Sequence, residues 1–229
     1  MRVLLAFAVM CAAVALDPAH AAQPKQLNLG PGFRLALGAA KFSDDELIFK
    51  KPAGKKWPDQ EKFIADAMKN LKLTKAAGKT DEETVLAAVA NPKTKAPLNV
   101  PVAWLLDGAV NAKSYKEAVP YLKAAEAELD RRLQAAEPAG KKALPVVNSM
   151  IADMAAANVP AAERPAFDKL PRDRQFEKLS GLISAKDAAK RTAPEKQFMA
   201  QLPLYQLHTD LTRGKSGASA ALKFAEGKQ

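Results

Sequence analysis

Thiols and imidazoles are nearly missing from this sequence. Cys11 is the one cysteine in 229 residues, and His20 and His208 are the two histidines. A single cysteine excludes an internal disulfide framework. Zinc, haem and iron–sulfur centres need several converging donors, so those of ordinary type are excluded too, and no cofactor is expected. Nucleophile motifs are absent as well: there is no Gly-x-Ser-x-Gly elbow and no Ser-x-x-Lys. No Asn-x-Ser/Thr sequon occurs, which fits a bacterial envelope protein. The longest apolar run, Val3 to Leu16, falls short of the roughly 20 residues that span a bilayer.

That run has a different meaning. Met1-Arg2 makes a short positive start, Asp17-Pro18 breaks any helix, and Ala19-His20-Ala21 is a small-x-small cleavage pattern. The layout is that of a secretory signal peptide over 1–21. Cleavage after Ala21 removes Cys11 and His20, leaving a thiol-free chain whose one histidine is His208. It removes Arg2 and Asp17 together, so the net charge of +10 persists. The expected location is the periplasm or the exterior.

Strand signals are scarce. Alanine is the commonest residue, and no alternating run reaches five residues with β-branched enrichment. The expected fold is all-α: an irregular bundle of short, Pro-delimited helices behind a loop-rich N-terminal arm. The arm covers 22–57, an extended arm or loop-rich lid with room for one short helix after Ser43, where Gly30-Pro31-Gly32, Pro52 and Gly54 punctuate short apolar pieces such as Phe33 to Leu37 and Leu47 to Phe49. The helical domain covers 58–214. Its elements are an amphipathic helix over 58–73, a capped helix from Thr80 to Asn91-Pro92, and an almost wholly apolar helix over Val102 to Val110 around Trp104. A helix from Ser114 to about Ala136 follows, kinked or restarted at Pro120. In this helix Leu122, Ala125, Leu129 and Leu133 face inward, and Glu126, Glu128, Asp130, Arg131 and Arg132 lie elsewhere. Further helices are expected over 143–157, over 173–183, and from the Thr192/Glu195 capping box to Gly214, where a tail over 215–229 begins.

Ala103 to Leu106, Ser114 to Val119 and Tyr121 to Ala125 together resemble a tetratricopeptide-type helical hairpin. Tyr115, Ala118, Leu122 and Ala125 occupy its packing positions. Pro120 falls inside the second helix, and no neighbour repeats the pattern at about 34 residues, so the segment reads as a generic helix pair.

Two glycine–lysine pairs, Gly78-Lys79-Thr80 and Gly214-Lys215-Ser216, end like phosphate loops. Both lack the earlier glycine and follow helices, so they read as helix ends. Asp44-Asp45-Glu46 and Asp81-Glu82-Glu83 sit at helix starts, where negative charge complements the dipole. His208 reads as an exposed or capping residue.

What remains is charge. Residues 22–79 carry 12 basic and 6 acidic side chains, 80–136 carry 7 and 8, and 137–229 carry 15 and 10. The densest cluster is Lys50, Lys51, Lys55, Lys56 and Trp57, the candidate partner-binding residues, because lysines beside an aromatic suit phosphates or anionic headgroups. A second cluster, Arg164, Lys169, Arg172 and Arg174 around Phe167 and Phe176, alternates with Glu163, Asp168, Asp173 and Glu177, which predicts local ion pairing. Neither cluster matches a nucleic-acid motif, and an exported protein seldom meets nucleic acid. The expectation is an exported, non-catalytic protein binding an anionic macromolecular partner through basic surface. That partner is an acidic protein, a lipid headgroup in a peripheral membrane contact, or another envelope component. The alternatives are a secreted effector or inhibitor docking on a foreign protein, and a lumenal accessory subunit of a membrane complex.

Overall fold

Prolines and side-chain caps set where the short helices begin. Thr80 accepts from the Glu83 amide while the Glu83 carboxylate takes the Thr80 amide, and Thr192 and Glu195 repeat the arrangement. At Ser114 the box is displaced by one residue: Ser114 takes the Glu117 amide, but Glu117 accepts from Lys113.

The chain is seen in a computed structural model that describes residues 26–40, 60–94 and 100–229. These residues are all-α, with eight α-helices and no strand among them. The helices are α1 (Gly32–Ala39), α2 (Gln60–Asn70), α3 (Asp81–Val89), α4 (Val102–Val110), α5 (Tyr115–Asn158), α6 (Arg164–Asp168), α7 (Arg172–Ser184) and α8 (Ala193–Glu226). Short 3-10 turns at Ala161–Glu163 and Ala188–Lys190 precede α6 and α8. The expected signal segment 1–21, the short helix after Ser43 and the Lys50–Trp57 cluster lie outside the described residues.

Two helices organise the molecule. α5 has 44 residues and α8 has 34, so at 1.5 Å per residue they run about 66 and 51 Å. They lie antiparallel: Lys123 pairs with Glu226 at 3.1 Å, Lys215 with Asp130, and Gly140 packs on His208. Around one end, α1 to α4 enclose a core built on Trp104, Leu105, Leu106, Leu122, Leu129 and Ala221. Around the other, α6 and α7 enclose a second core of Val147, Ile151, Phe167, Phe176, Leu179 and Phe198. α8 serves both with opposite faces. Leu202 in the second core and Ala218 in the first are sixteen residues apart, about four and a half turns.

Four expectations are corrected. The arm 22–57 is not simply loop-rich, because Gly32–Ala39 is a helix with Phe33, Ala36 and Leu37 buried. Its glycines permit close contact: a Cβ on Gly32 would lie 2.7 Å from the Gly217 carbonyl. Nor does Gly214 end a helix ahead of a tail; α8 runs on to Glu226, burying Ala218, Ala221, Leu222 and Ala225. The break expected between 136 and 143 is missing, as α5 continues through Pro120, Pro138 and Pro145. Each proline forgoes one backbone hydrogen bond, and packing along α8 sustains the helix. The fourth correction concerns Glu128 and Arg131, which are 0% and 4% exposed.

Other expectations agree with the structure. α4 spans the predicted residues and buries eight of its nine side chains. Phe63 of α2 meets Trp104 edge-on at 4.8 Å, and Trp104 meets Tyr121 of α5 at 6.2 Å.

Candidate functional site

The buried charges come first, because an unpaired charge in a core is costly and calls for an explanation. Glu128 accepts from Arg131 Nε at 3.2 Å and from Arg132 Nε at 2.9 Å. The free ends of both guanidinium groups reach past it. Arg131 Nη2 donates to the Val89 carbonyl at 2.6 Å, and Arg132 Nη2 donates to the Val100 carbonyl at 2.8 Å. Val89 closes α3 and Val100 precedes α4. One carboxylate and two arginines therefore tie α5 to both ends of the segment linking α3 to α4.

Arginine does similar work elsewhere. Arg164 donates to the Ala156 and Val159 carbonyls at the end of α5. Arg191 donates to Ile183, Ser184 and Lys186 at the end of α7. Helix C-termini expose unpaired carbonyls that glycine-containing turns often satisfy; here guanidinium groups satisfy them.

Glu195 is another buried acid, 1% exposed. Lys186 Nζ sits 2.5 Å from its carboxylate. That hydrogen bond and the one from the Thr192 amide hold its pKa at about 2 against the pull of burial. In the first core, Tyr121 donates its hydroxyl to Glu82 at 2.7 Å. Burial, and then that carboxylate, push its phenol well above the ordinary value.

At the surface, an open groove of about 560 Å³ runs between α5, α8 and the turn after α3. Ala90, Pro92, Ala127 and Leu222 give it apolar walls, while Lys123, Glu126, Asp130 and Lys215 line it with both signs of charge. A shallower groove of about 350 Å³ continues along α8, lined by Lys215, Ser216, Ser219, Ala220 and Lys223. These positions recur every three to four residues, so lysines and hydroxyls form one stripe, in which Lys215 is half-buried and paired with Asp130 and Ser216 donates to the Thr212 carbonyl.

The candidate cluster Lys50, Lys51, Lys55, Lys56 and Trp57 falls outside the described residues, so the structure does not place it. Among the described residues the second cluster pairs within itself only at Arg174, while Asp173 reaches Arg213 of α8 at 3.7 Å and Arg172 donates to Gln175. Arg174 meets Glu177 at 2.6 Å and Lys178 meets Glu163 at 2.7 Å, while Arg164 caps α5. His208 is half-buried against Gly140 rather than capping a helix end. Gly78 lies in a left-handed turn (φ 77°) ahead of the Thr80 cap, whereas Gly214-Lys215-Ser216 is mid-helix, and neither forms a phosphate loop. Among the described residues, no group of three or more His, Cys, Asp or Glu is placed to hold a metal ion. No described helix is long and apolar enough to cross a membrane.

The Lys215–Lys223 stripe is the feature that sequence reading missed. Its signal was present as Lys/Ser spacing in the C-terminal segment, but that reading required the segment to be helical.

These features define an all-α protein built on two long antiparallel helices, with a basic, hydroxyl-bearing groove on one of them. In comparison with known proteins, no family model matches this chain, and neither a curated protein nor a solved structure matches it.

Proposed function

We propose that this chain is an exported, non-catalytic helical protein that holds an anionic macromolecular partner on its basic surface. The observation that carries the reading is the stripe of Lys215, Ser216, Ser219 and Lys223 lining an open groove along α8. Ammonium groups and hydroxyls at one-turn spacing offer charge and hydrogen bonds to carboxylate or phosphate oxygens. The lysine-rich segment Lys50 to Trp57 adds a second basic element by sequence. The net charge of +10 supplies the long-range attraction that brings an anionic partner in.

The buried charged groups support the same reading, because their work is structural. Glu128, Arg131, Arg132 and Glu195 hold helix ends and loops in place. The signal-like sequence of 1–21 supports export, and the partner is then an acidic protein, a lipid headgroup or another envelope component.

Affinity capture from envelope fractions tests this reading, using the wild-type chain beside Lys215→Glu/Lys223→Glu and Lys50→Glu/Lys51→Glu/Lys55→Glu/Lys56→Glu variants. The expected result is a retained anionic component that at least one reversal variant loses. Equal capture by all three proteins would leave the basic surface without a binding role.

A further inference from the structure

The two cores are joined by a thin waist. On α5, Ala136 packs at the edge of the first core and Val147 opens the second; on α8, Leu202 belongs to the second core and Leu211 to the first. Among the described residues, those buried between these limits are Gly140 and Ala143 of α5, both too small to build a core. Leu144, Leu204 and Leu207 stand exposed at this level. The waist is therefore roughly 12 to 15 Å of paired helix.

Both helices are weakened there at one level. The packing of Gly140 on His208 fixes the antiparallel register, and the Lys123–Glu226 pair agrees with it to within a residue. Pro145 lies five residues after Gly140, and Pro203 lies five before His208. The two prolines thus stand side by side, about 7.5 Å from the glycine contact. Proline has no N–H, so the Lys141 and Met199 carbonyls lose their partners four residues on. Helices bend at such gaps unless packing holds them straight, and at the waist that packing is slight.

One ion pair reaches across this waist. Asp173, in the first turn of α7 beside the second core, meets Arg213 of α8 at 3.7 Å. Arg213 lies two residues past Leu211 of the first core. Both side chains are about half exposed, so the pair is weak and open to salt. We propose that the waist is a hinge: the lobe around α1 to α4 and the lobe around α6 and α7 swing against each other as α5 and α8 bend together at Pro145 and Pro203. The Asp173–Arg213 pair latches the arrangement seen in the structure. A few residues absorb the motion while the two packed cores move as units. The inference stands whatever the Lys215–Lys223 groove binds.

Pulsed electron–electron resonance tests it on the full chain carrying Cys11→Ser, with spin labels at Lys116→Cys in one lobe and Lys169→Cys in the other, both exposed positions. A control pair, Lys169→Cys with Lys196→Cys, lies within the second lobe. The inter-lobe distance distribution should be about twofold wider than the control's. Pro145→Ala/Pro203→Ala, which restores both hydrogen bonds, should narrow it toward the control width. Asp173→Lys, or salt at about 1 M, where charges are screened beyond about 3 Å, should shift the distribution away from the latched distance. An inter-lobe distribution as narrow as the control overturns the hinge. A wide one that the alanine pair leaves unchanged puts the bending elsewhere and overturns it equally. Indifference to both Asp173→Lys and salt overturns the latch.

Discussion

A Cβ added to Gly214 would lie 2.0 Å from the Cβ of Ala39, so α1 and α8 meet there at a distance only glycine allows. In an exposed helix, Gly→Ala gains about 1 kcal/mol from backbone entropy. Here steric overlap outweighs that gain. Gly214→Ala should destabilise the protein by about 1–3 kcal/mol, measured by urea unfolding. A neutral or stabilising result would mean that α1 does not press on α8 as described.

Gly181 provides the opposite case. It sits in α7 with no atom within 4 Å of its added Cβ. Gly181→Ala should therefore raise stability by about 0.5–1 kcal/mol. The pair of substitutions separates close packing from helix propensity, since both replace a helical glycine with alanine.

Arg131 is the side chain whose loss should cost most among the buried ions. Arg131→Met leaves the Val89 carbonyl without its donor and removes one of the two guanidinium groups that Glu128 accepts from. Removing one partner from a buried ion cluster costs about 3–5 kcal/mol. Replacing Glu128 as well, as Glu128→Leu/Arg131→Met, should recover part of that loss, because the charge that remains, Arg132, is 32% exposed and keeps the Val100 carbonyl as acceptor. Equal destabilisation in the single and double variants would contradict the cluster as drawn.

Glu195 predicts a pH dependence. Its pKa is lowered to about 2 by Lys186 and the Thr192 amide, against an unfolded value near 4.3. A depressed folded pKa contributes stability that is present above the unfolded value and lost as pH falls through the folded one. The wild type should therefore lose stability progressively from about pH 4 toward pH 2. Glu195→Gln should flatten that part of the profile and lower stability at neutral pH by about 2 kcal/mol. Parallel profiles for the two proteins would refute the assignment.

Much of the architecture was legible in the sequence because it is written locally. Thr80 with Glu83 and Thr192 with Glu195 mark helix starts through contacts three residues apart, Pro92 follows the end of α3, and Pro101 precedes α4. The apolar spacing of Val102 to Val110 identifies α4 unaided. What escaped was set by distant partners. Gly32 and Gly214 looked like breaks because glycine marks turns as well as close crossings, and only the opposing helix distinguishes the two. The stretch between 136 and 143 looked like a break because the contacts that carry α5 through it, such as Gly140 on His208, come from α8. Glu128 and Arg131 looked like surface charges because the carbonyls that Arg131 and Arg132 hold lie 42 and 32 residues away. The Lys215–Lys223 stripe was hidden for the same reason, since its register needs a helix where a tail was expected.

The most direct measurement for the functional account is retention of the protein on envelope fractions and on anionic vesicles as salt is raised. Attraction between a +10 protein and an anionic partner is screened beyond about 10 Å at ~0.1 M salt, so retention should be strong at low ionic strength and fall steeply as it increases. Charge reversal along Lys215 and Lys223, or at Lys50, Lys51, Lys55 and Lys56, should shift that fall to lower salt. Absence of retention at low salt, or retention indifferent to salt, would contradict the account.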